Sequence, residues 1–261
     1  MEKKTSFFSK CTYNFIKTFV RLFYGKVELV GKENLLEKNA VIVGNHSQTN
    51  GPIVAELFFS ESVLIWCAGQ MMKLKEIPGY AYSDFWSKKP KWTKPFYKAL
   101  SYLIAPFAAC IFTNARTVPV YRDHRVISTF RRSVELLNDG KTLLVFPEKD
   151  EKYNNILYAF EENFVDVARI FYKKTGENLN FVPMYLAPKL KKVYIGRGIE
   201  YCGENDSKEE KKRIVSYLVD EITHIAVSLP EHTVVPYRNI PKKYYLSNKN
   251  ITEVPHEKSS R

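Results

Sequence analysis

Apolar positions recur at helical spacing in the first two dozen residues. Wound at about 100° per residue, the stretch SFFSKCTYNFIKTFVRLFY at 6–24 puts Phe8, Cys11, Phe15, Phe19 and Leu22 on one face. Lys10, Lys17 and Arg21 gather on the other side, the pattern of a helix lying in a headgroup layer with its phenylalanines down. Further on, short runs of buried type at 27–30, 40–43, 62–67, 117–121, 142–146, 181–186 and 192–195 predict strands. Helical spacing predicts helices from Pro52 to Phe59, over 126–137 and 160–174, and from a Ser207/Glu210 capping box through Leu229. The loop after 142–146, PEKDEKYN, is charged throughout. Strands alternating with helices, with no internal repeat or linker, predict a single α/β domain over 27–241 around a mostly parallel central sheet flanked by helices. The amphipathic segment 1–26 precedes it, and a polar tail at 242–261 is expected to be disordered.

A second apolar stretch changes the picture. Lysines interleave with Trp92, Phe96 and Tyr97 over 88–98 and lead straight into an apolar segment at 99–112. The nearly unbroken run 102–112 is shorter than the ~20 residues of a spanning helix, and Pro106 interrupts it, so no transmembrane helix is predicted. The basic aromatic run reads instead as a second patch facing a membrane. A formal net charge of +12 calls for an anionic partner, whether nucleic acid, a phospholipid surface or a phosphorylated substrate. The 17 Tyr and 17 Phe beside these lysines favour the phospholipid surface over nucleic acid. Cys11, Cys67, Cys110 and Cys202 form no C-x-x-C pair, so neither a zinc site nor a disulfide framework is expected. The N-terminus lacks the apolar core of a signal peptide, and the chain is expected on the cytoplasmic face of the cell membrane as a peripheral or monotopic protein.

The stretch 41–52, VIVGNHSQTNGP, holds the candidate chemistry. His46 leaves a buried strand on a small polar turn, where an imidazole is well placed to take a proton. The helix predicted from Pro52 puts the loop 45–51 at a helix N-terminus, whose backbone N–H groups favour an anion or a developing oxyanion. That combination suits acyl or phosphate chemistry.

Four strand-end blocks then occur in order: Asn45-His46, VPVYR at 118–122, VFPE at 145–148 and FVPMY at 181–185. In order and approximate spacing they resemble the glycerol-phosphate and 1-acylglycerol-phosphate (lysophospholipid) acyltransferase family over about 27–229. The resemblance implies the glycerolipid acyltransferase fold and transfer of an acyl group from acyl-CoA or acyl carrier protein to a hydroxyl of a phosphorylated glycerol lipid, in phospholipid biosynthesis. No cofactor is implied beyond the donor thioester. On this resemblance His46 is the general base, Arg122 holds the acceptor phosphate, and Glu148 helps order the acceptor loop. Asn45, Arg116 and Lys149 join the substrate-binding set.

The chain departs from the family blocks at several positions. The family places Asp four residues beyond Asn-His, where this chain has Gly51. Arg116 replaces a Gly, and the family's Phe-Pro-Glu-Gly-Thr-Arg-Ser is FPEKDEK here. Asn50 is the nearest group able to orient the imidazole, with Asp84, Asp123 and Glu148 as alternatives brought in by the fold. The same departures suit a relative that binds lipid or acyl carrier without turnover, or one with a different acceptor.

Overall fold

The structure, a computed structural model, describes residues 6–35, 39–87 and 89–250. In chain order the elements are α1 (Phe7–Tyr24), β1 (Glu28–Val30), β2 (Ala40–Gly44), α2 (Asn50–Phe58), β3 (Val63–Ala68), α3 (Ile77–Ala81), α4 (Lys94–Asn114), β4 (Thr117–Val120) and α5 (Val126–Asn138). Then follow β5 (Thr142–Val145), β6 (Glu148–Lys152), β7 (Tyr158–Phe160), α6 (Asp166–Thr175), β8 (Leu179–Ala187), β9 (Lys192–Ile195), β10 (Ile199–Tyr201) and α7 (Ser207–Ser228). The chain divides into two compact units, one of Lys26–Val63 with Ser133–Arg261, the other of Met1–Gly25 with Leu64–Arg132. The N-terminal segment thus clusters with the middle of the chain.

In the larger unit the strands lie in the order β1-β9-β8-β2-β5, with β10 on β8. The pairings β1–β9, β2–β8 and β2–β5 are parallel, while β8–β9 and β8–β10 are antiparallel. The α/β class with a mostly parallel sheet follows the sequence pattern. β2 is buried at every position, which is why AVIVG reads as a continuous apolar run and not as an alternation. Its register sets Val43 between Pro183 of β8 and Val145 of β5, so β2 and β5 end side by side against the middle of β8. Parallel sheets present their loops at such ends. Helix α7 buries Ile214, Leu218, Val219, Ile222 and Ala226, and α6 buries Val167, Ala168 and Phe171.

Three local outcomes differ from the pattern-based expectation. The charged stretch after β5 is a hairpin, β6 with β7, in which Glu148 faces Phe160 and Lys152 faces Tyr158. Buried Leu157, Tyr158 and Phe160 supply the apolar side that EKDEK lacks, so the helix expected from Phe160 begins only at Asp166. The cap of α7 is Asp206, not Ser207: its Oδ1 accepts from the amides of Lys208 (2.9 Å) and Glu209 (3.1 Å). Glu210 is buried, bonded to Cys202 N, Asn205 and Arg213, and Arg213 holds its carboxyl down at about 2. Finally, the tail expected from 242 is ordered through Asn250. Thr233 bridges Ser247, and fully buried Asn248 donates to Ala226 O and accepts from His232 N. Residues 251–261 of that tail lie outside the described residues.

The smaller unit pairs β3 and β4 in parallel, Ile65 facing Thr117 and Ala68 facing Val120. Met71, Ile77 and Ala105 form its core, with Phe112 packed against them. α1 starts where Ser6 Oγ accepts from Ser9 N and stops at Gly25, whose φ of 76° a side chain would disfavour. It packs through Tyr13, while Phe7, Phe8, Phe15, Phe19, Leu22 and Phe23 remain exposed. α4 runs unbroken through Pro106 for 21 residues, longer than the run 102–112 suggested. With the turn before it, 91–114 is long and apolar enough to cross a membrane, and Trp92, Phe96, Tyr102, Leu103 and Phe107 are exposed. Asn114 Nδ2 donates to Ser9 Oγ (2.8 Å), tying the two helices. Residues 1–5 of the N-terminal segment and Lys88 of the basic aromatic run lie outside the described residues.

Removing the α7 cap tests the helix assignment. Asp206→Ala is expected to cost about 1 kcal/mol, read as a lower midpoint in denaturant unfolding, with Ser207→Ala close to neutral.

Candidate active site at the end of the second strand

β2 ends at Gly44, and the next side chain continues the ladder. Asn45 is buried, donating from Nδ2 to Leu186 O (3.0 Å) and accepting at Oδ1 from Leu186 N (2.7 Å). A carboxamide presents an N–H and a carbonyl side by side, as a backbone rung does, so it substitutes for the next rung while the main chain turns away. Asn45 therefore holds the turn, with both polar ends committed.

At that turn the His46 amide donates to Glu148 Oε1 (2.6 Å), and Glu148 Oε2 accepts from Tyr158 N (2.9 Å). Glu148 is 3% exposed. Burial pushes its carboxyl up to about 7 against the opposing pull of the two amides. The folded value lies above the ordinary 4.5, so the folded chain holds this proton more tightly. The resulting stabilisation is complete in acid and is lost as pH rises from the ordinary value through about 7. Glu148 braces the loop from beneath, with both oxygens on backbone.

Ser47 and Gln48 then take left-handed backbone, with φ of 49° and 56°. That conformation is uncommon outside glycine and costs roughly 1–2 kcal/mol per residue. It curls the chain so that the Gln48 carbonyl meets the ring of its own turn, and His46 Nδ1 hydrogen-bonds to that oxygen. A carbonyl only accepts, so Nδ1 carries the proton and Nε2 is left as the base. The half-buried ring stands edge-on to Phe146 (5.3 Å between centroids) and to Tyr237 (5.6 Å). Burial lowers its pKa, partly offset by the Gln48 carbonyl, so the imidazole is neutral at pH 7.

The remaining candidates are committed in other ways. Asn50 Nδ2 donates to Ser47 O (2.9 Å), so the amide expected to orient the imidazole braces the turn, and Gln48 O holds Nδ1. The amides of Asn50, Gly51 and Ile53 bond to the carbonyls of Ser47, His46 and Thr49, and Pro52 has no N–H. The donors expected at the start of α2 for an oxyanion are thus already used. Lys149 pairs with Glu151 (2.9 Å), and Asp150 with Arg238.

Arg116 and Arg122 belong to the smaller unit. Half-buried Arg116 accepts from Ile65 N at its carbonyl (2.8 Å). Exposed Arg122 follows β4, and its charge opposes the upward shift that burial gives Asp84. Asp123 is gripped by the Arg125 guanidinium, which holds its carboxyl far below the usual range, also binds Glu76 and lies 4.0 Å over the Tyr121 ring.

No protein-family profile matches the chain, and no curated protein sequence is detectably similar to it. Among solved structures it is similar to a crystal structure of the 1-acyl-sn-glycerophosphate (LPA) acyltransferase, PlsC, from Thermotoga maritima. The identity is 15% over 83% of this chain and 80% of that one, with a TM-score of 0.47.

Sequence reasoning missed Gln48, Phe146 and Tyr237. Gln48 acts through its backbone, which no side-chain motif reports, and the aromatics arrive from distant parts of the chain. Gly51 was the one available signal. A Cβ there would lie 2.7 Å from His46 O and 2.8 and 2.9 Å from two atoms of the Phe146 ring. The space a side chain at position 51 would enter is filled by Phe146. Gly51→Asp is therefore expected to cost about 1–3 kcal/mol from overpacking, and Phe146→Ala in the same chain should recover part of it. Denaturant unfolding of the four-member cycle checks this, and strict additivity would acquit Phe146.

Proposed function

We propose that this chain is an acyltransferase that moves a fatty acyl group from acyl-CoA or acyl carrier protein to a hydroxyl of a lysophospholipid or glycerol-phosphate-type acceptor. The observation that carries the reading is the His46 ring, held through Nδ1 by Gln48 O with Nε2 unprotonated beyond a buried strand. Nε2 takes the acceptor hydroxyl proton as the oxygen attacks the thioester carbonyl. The tetrahedral intermediate then collapses, the C–S bond breaks, and the imidazolium returns the proton to the leaving thiolate. A hydroxyl is a poor nucleophile until its proton leaves, and a neutral base below the ordinary imidazole pKa is competent at pH 7. The four strand-end blocks support the substrate class, with Arg122 the candidate for the acceptor phosphate. The acyl chain acceptor implies a lipid surface, and the exposed phenylalanines of α1 and the exposed aromatics of α4 suit a membrane of anionic lipid on the cytoplasmic side.

The commitment of the α2 amides favours a second reading, a lipid- or acyl-carrier-binding protein without turnover. The two part on one assay, acyl transfer from labelled acyl-CoA and acyl carrier protein to a panel of lysophospholipids. Wild type should be active and His46→Ala lower by 10²–10⁴-fold, the range for a positioned base. The acid limb of kcat/KM should inflect below 6.5, because burial lowers His46. A folded, membrane-bound wild type inert across the panel would select the second reading.

Membrane attachment is separately testable. In flotation with vesicles containing anionic lipid, Phe15→Ala with Phe19→Ala should lower the bound fraction severalfold. Changing Lys10, Lys17 and Arg21 together to Glu should make the loss sharper at low salt. Undiminished flotation of both variants would remove α1 from the interface.

A further inference from the structure

The His46 turn is held from above by a loop that no catalytic motif includes. Residues 232–248 leave the end of α7 and return to it through a closed neck. Asn248 N donates to His232 O (3.0 Å), Thr233 bridges Ser247, and Val234 N donates to Leu246 O (2.8 Å). Fully buried Asn248 anchors the neck by donating to Ala226 O (2.8 Å). A loop closed this way at its neck is an ordered surface element, not a loose tail.

Residues on both limbs of this loop lie against His46, Ser47 and Gln48. Ser47 Oγ donates to Val235 O (3.3 Å), and the Tyr237 ring stands edge-on to the His46 ring and to Tyr158. Gln48 Nε2 donates to Tyr245 Oη (2.7 Å) and to Arg238 O (3.2 Å). Arg238 in turn pairs with Asp150 on β6, the strand that begins at Glu148. The left-handed backbone at Ser47 and Gln48 has no glycine to relieve it, so outside contacts must hold it. Asn50 holds the Ser47 carbonyl, and this loop holds the Ser47 and Gln48 side chains.

We propose that Tyr245 is a positioning residue for His46: by fixing the Gln48 side chain, it keeps the Gln48 carbonyl on Nδ1 and so fixes the tautomer that the motif carboxylate would otherwise set. The proposal rests on His46 acting as the base, but its first readout is independent of turnover. A side chain clamped at 2.7 Å limits rotation of the residue whose carbonyl does the orienting, whereas an unclamped Gln48 relaxes toward ordinary backbone and releases the ring.

The test is Tyr245→Phe in the full chain, which deletes one oxygen and keeps the ring, with Tyr244→Phe as the neighbouring control. Imidazole nitrogen NMR of His46 at pH 8 should show one tautomer in wild type, protonated at Nδ1. In Tyr245→Phe a second form, protonated at Nε2, should appear. kcat should fall about 10-fold or more, the scale seen when a partner that orients a histidine is lost, with KM unmoved. Gln48→Met removes that bond together with the one to Arg238 O and should give at least as much of the second form, which keeps the test valid if Tyr245→Phe folds poorly. A folded Tyr245→Phe that retains the single Nδ1–H form overturns the proposal, as does a wild type protonated at Nε2. A wild type without transferase activity, in which the tautomer still shifts on Tyr245→Phe, upholds the positioning role and refutes the acyltransferase reading.

Discussion

The buried carboxyl of Glu148 joins the two pieces of chain that form the site, with one oxygen on the His46 amide and the other on the Tyr158 amide. Burying a carboxyl without partners costs several kcal/mol, so two backbone donors at 2.6 and 2.9 Å are the condition on which it stays inside. The converse also holds. An amide at the end of β2 and another at the start of β7 would be buried donors without Glu148, and loss of the carboxyl would expose both to the same penalty. The β6–β7 hairpin, drawn from a stretch with no apolar alternation of its own in EKDEK, depends on that junction and on Leu157, Tyr158 and Phe160 beneath it. His46 inherits its place from this arrangement: Asn45 fixes where the strand stops, and Glu148 fixes where the next amide points.

A carboxylate beside a catalytic histidine does two things, which this site separates. It selects the tautomer, and it stabilises the imidazolium when the proton arrives; together these are worth about 10⁴ in rate in the serine protease triad. The Gln48 carbonyl performs the first function fully, because it accepts and never donates. It performs the second in part, since a peptide dipole at hydrogen-bond distance favours the cation without bearing a full charge. Burial works against the cation too, which is why the imidazole pKa is lowered despite that carbonyl. The proposed enzyme would therefore be geometrically prepared and electrostatically weaker than one with an Asp, and its rate should depend more on how rigidly the turn is held.

Much of the scaffold was legible because burial on both faces writes a parallel strand as a continuous apolar run. AVIVG, TLLV and the FVPMYL portion of β8 were visible for that reason, and so were the loops at their ends. EKDEK was not, because its buried partner lies across a turn in β7. Pro106 suggested a break that α4 does not have, since flanking helical turns carry one lost N–H bond. Ser207 matched a capping box, but Asp206 one residue earlier reaches two amides at once. In the site, His46 and Glu148 were legible from strand-end motifs. Gln48, Phe146 and Tyr245 were not: the first uses a backbone atom in a conformation its residue type does not advertise, and the others act only through the fold.

Gly51 shows how a missing residue becomes interpretable once its surroundings are known. From sequence it is a gap where the resembling family has a carboxylate. In the fold it is the position where Phe146 and the His46 carbonyl already fill the volume, and where the Gly51 amide donates to His46 O at 3.0 Å to close the turn. A side chain at 51 and the present ring at 146 exclude each other, and the ring at 146 is one of the two aromatic edges that confine the imidazole. Three features therefore belong together: no side chain at 51, an aromatic at 146, and a left-handed turn at 47 and 48 that brings a carbonyl to Nδ1. Restoring the carboxylate alone would not restore the dyad, because the turn that would receive it is built around its absence.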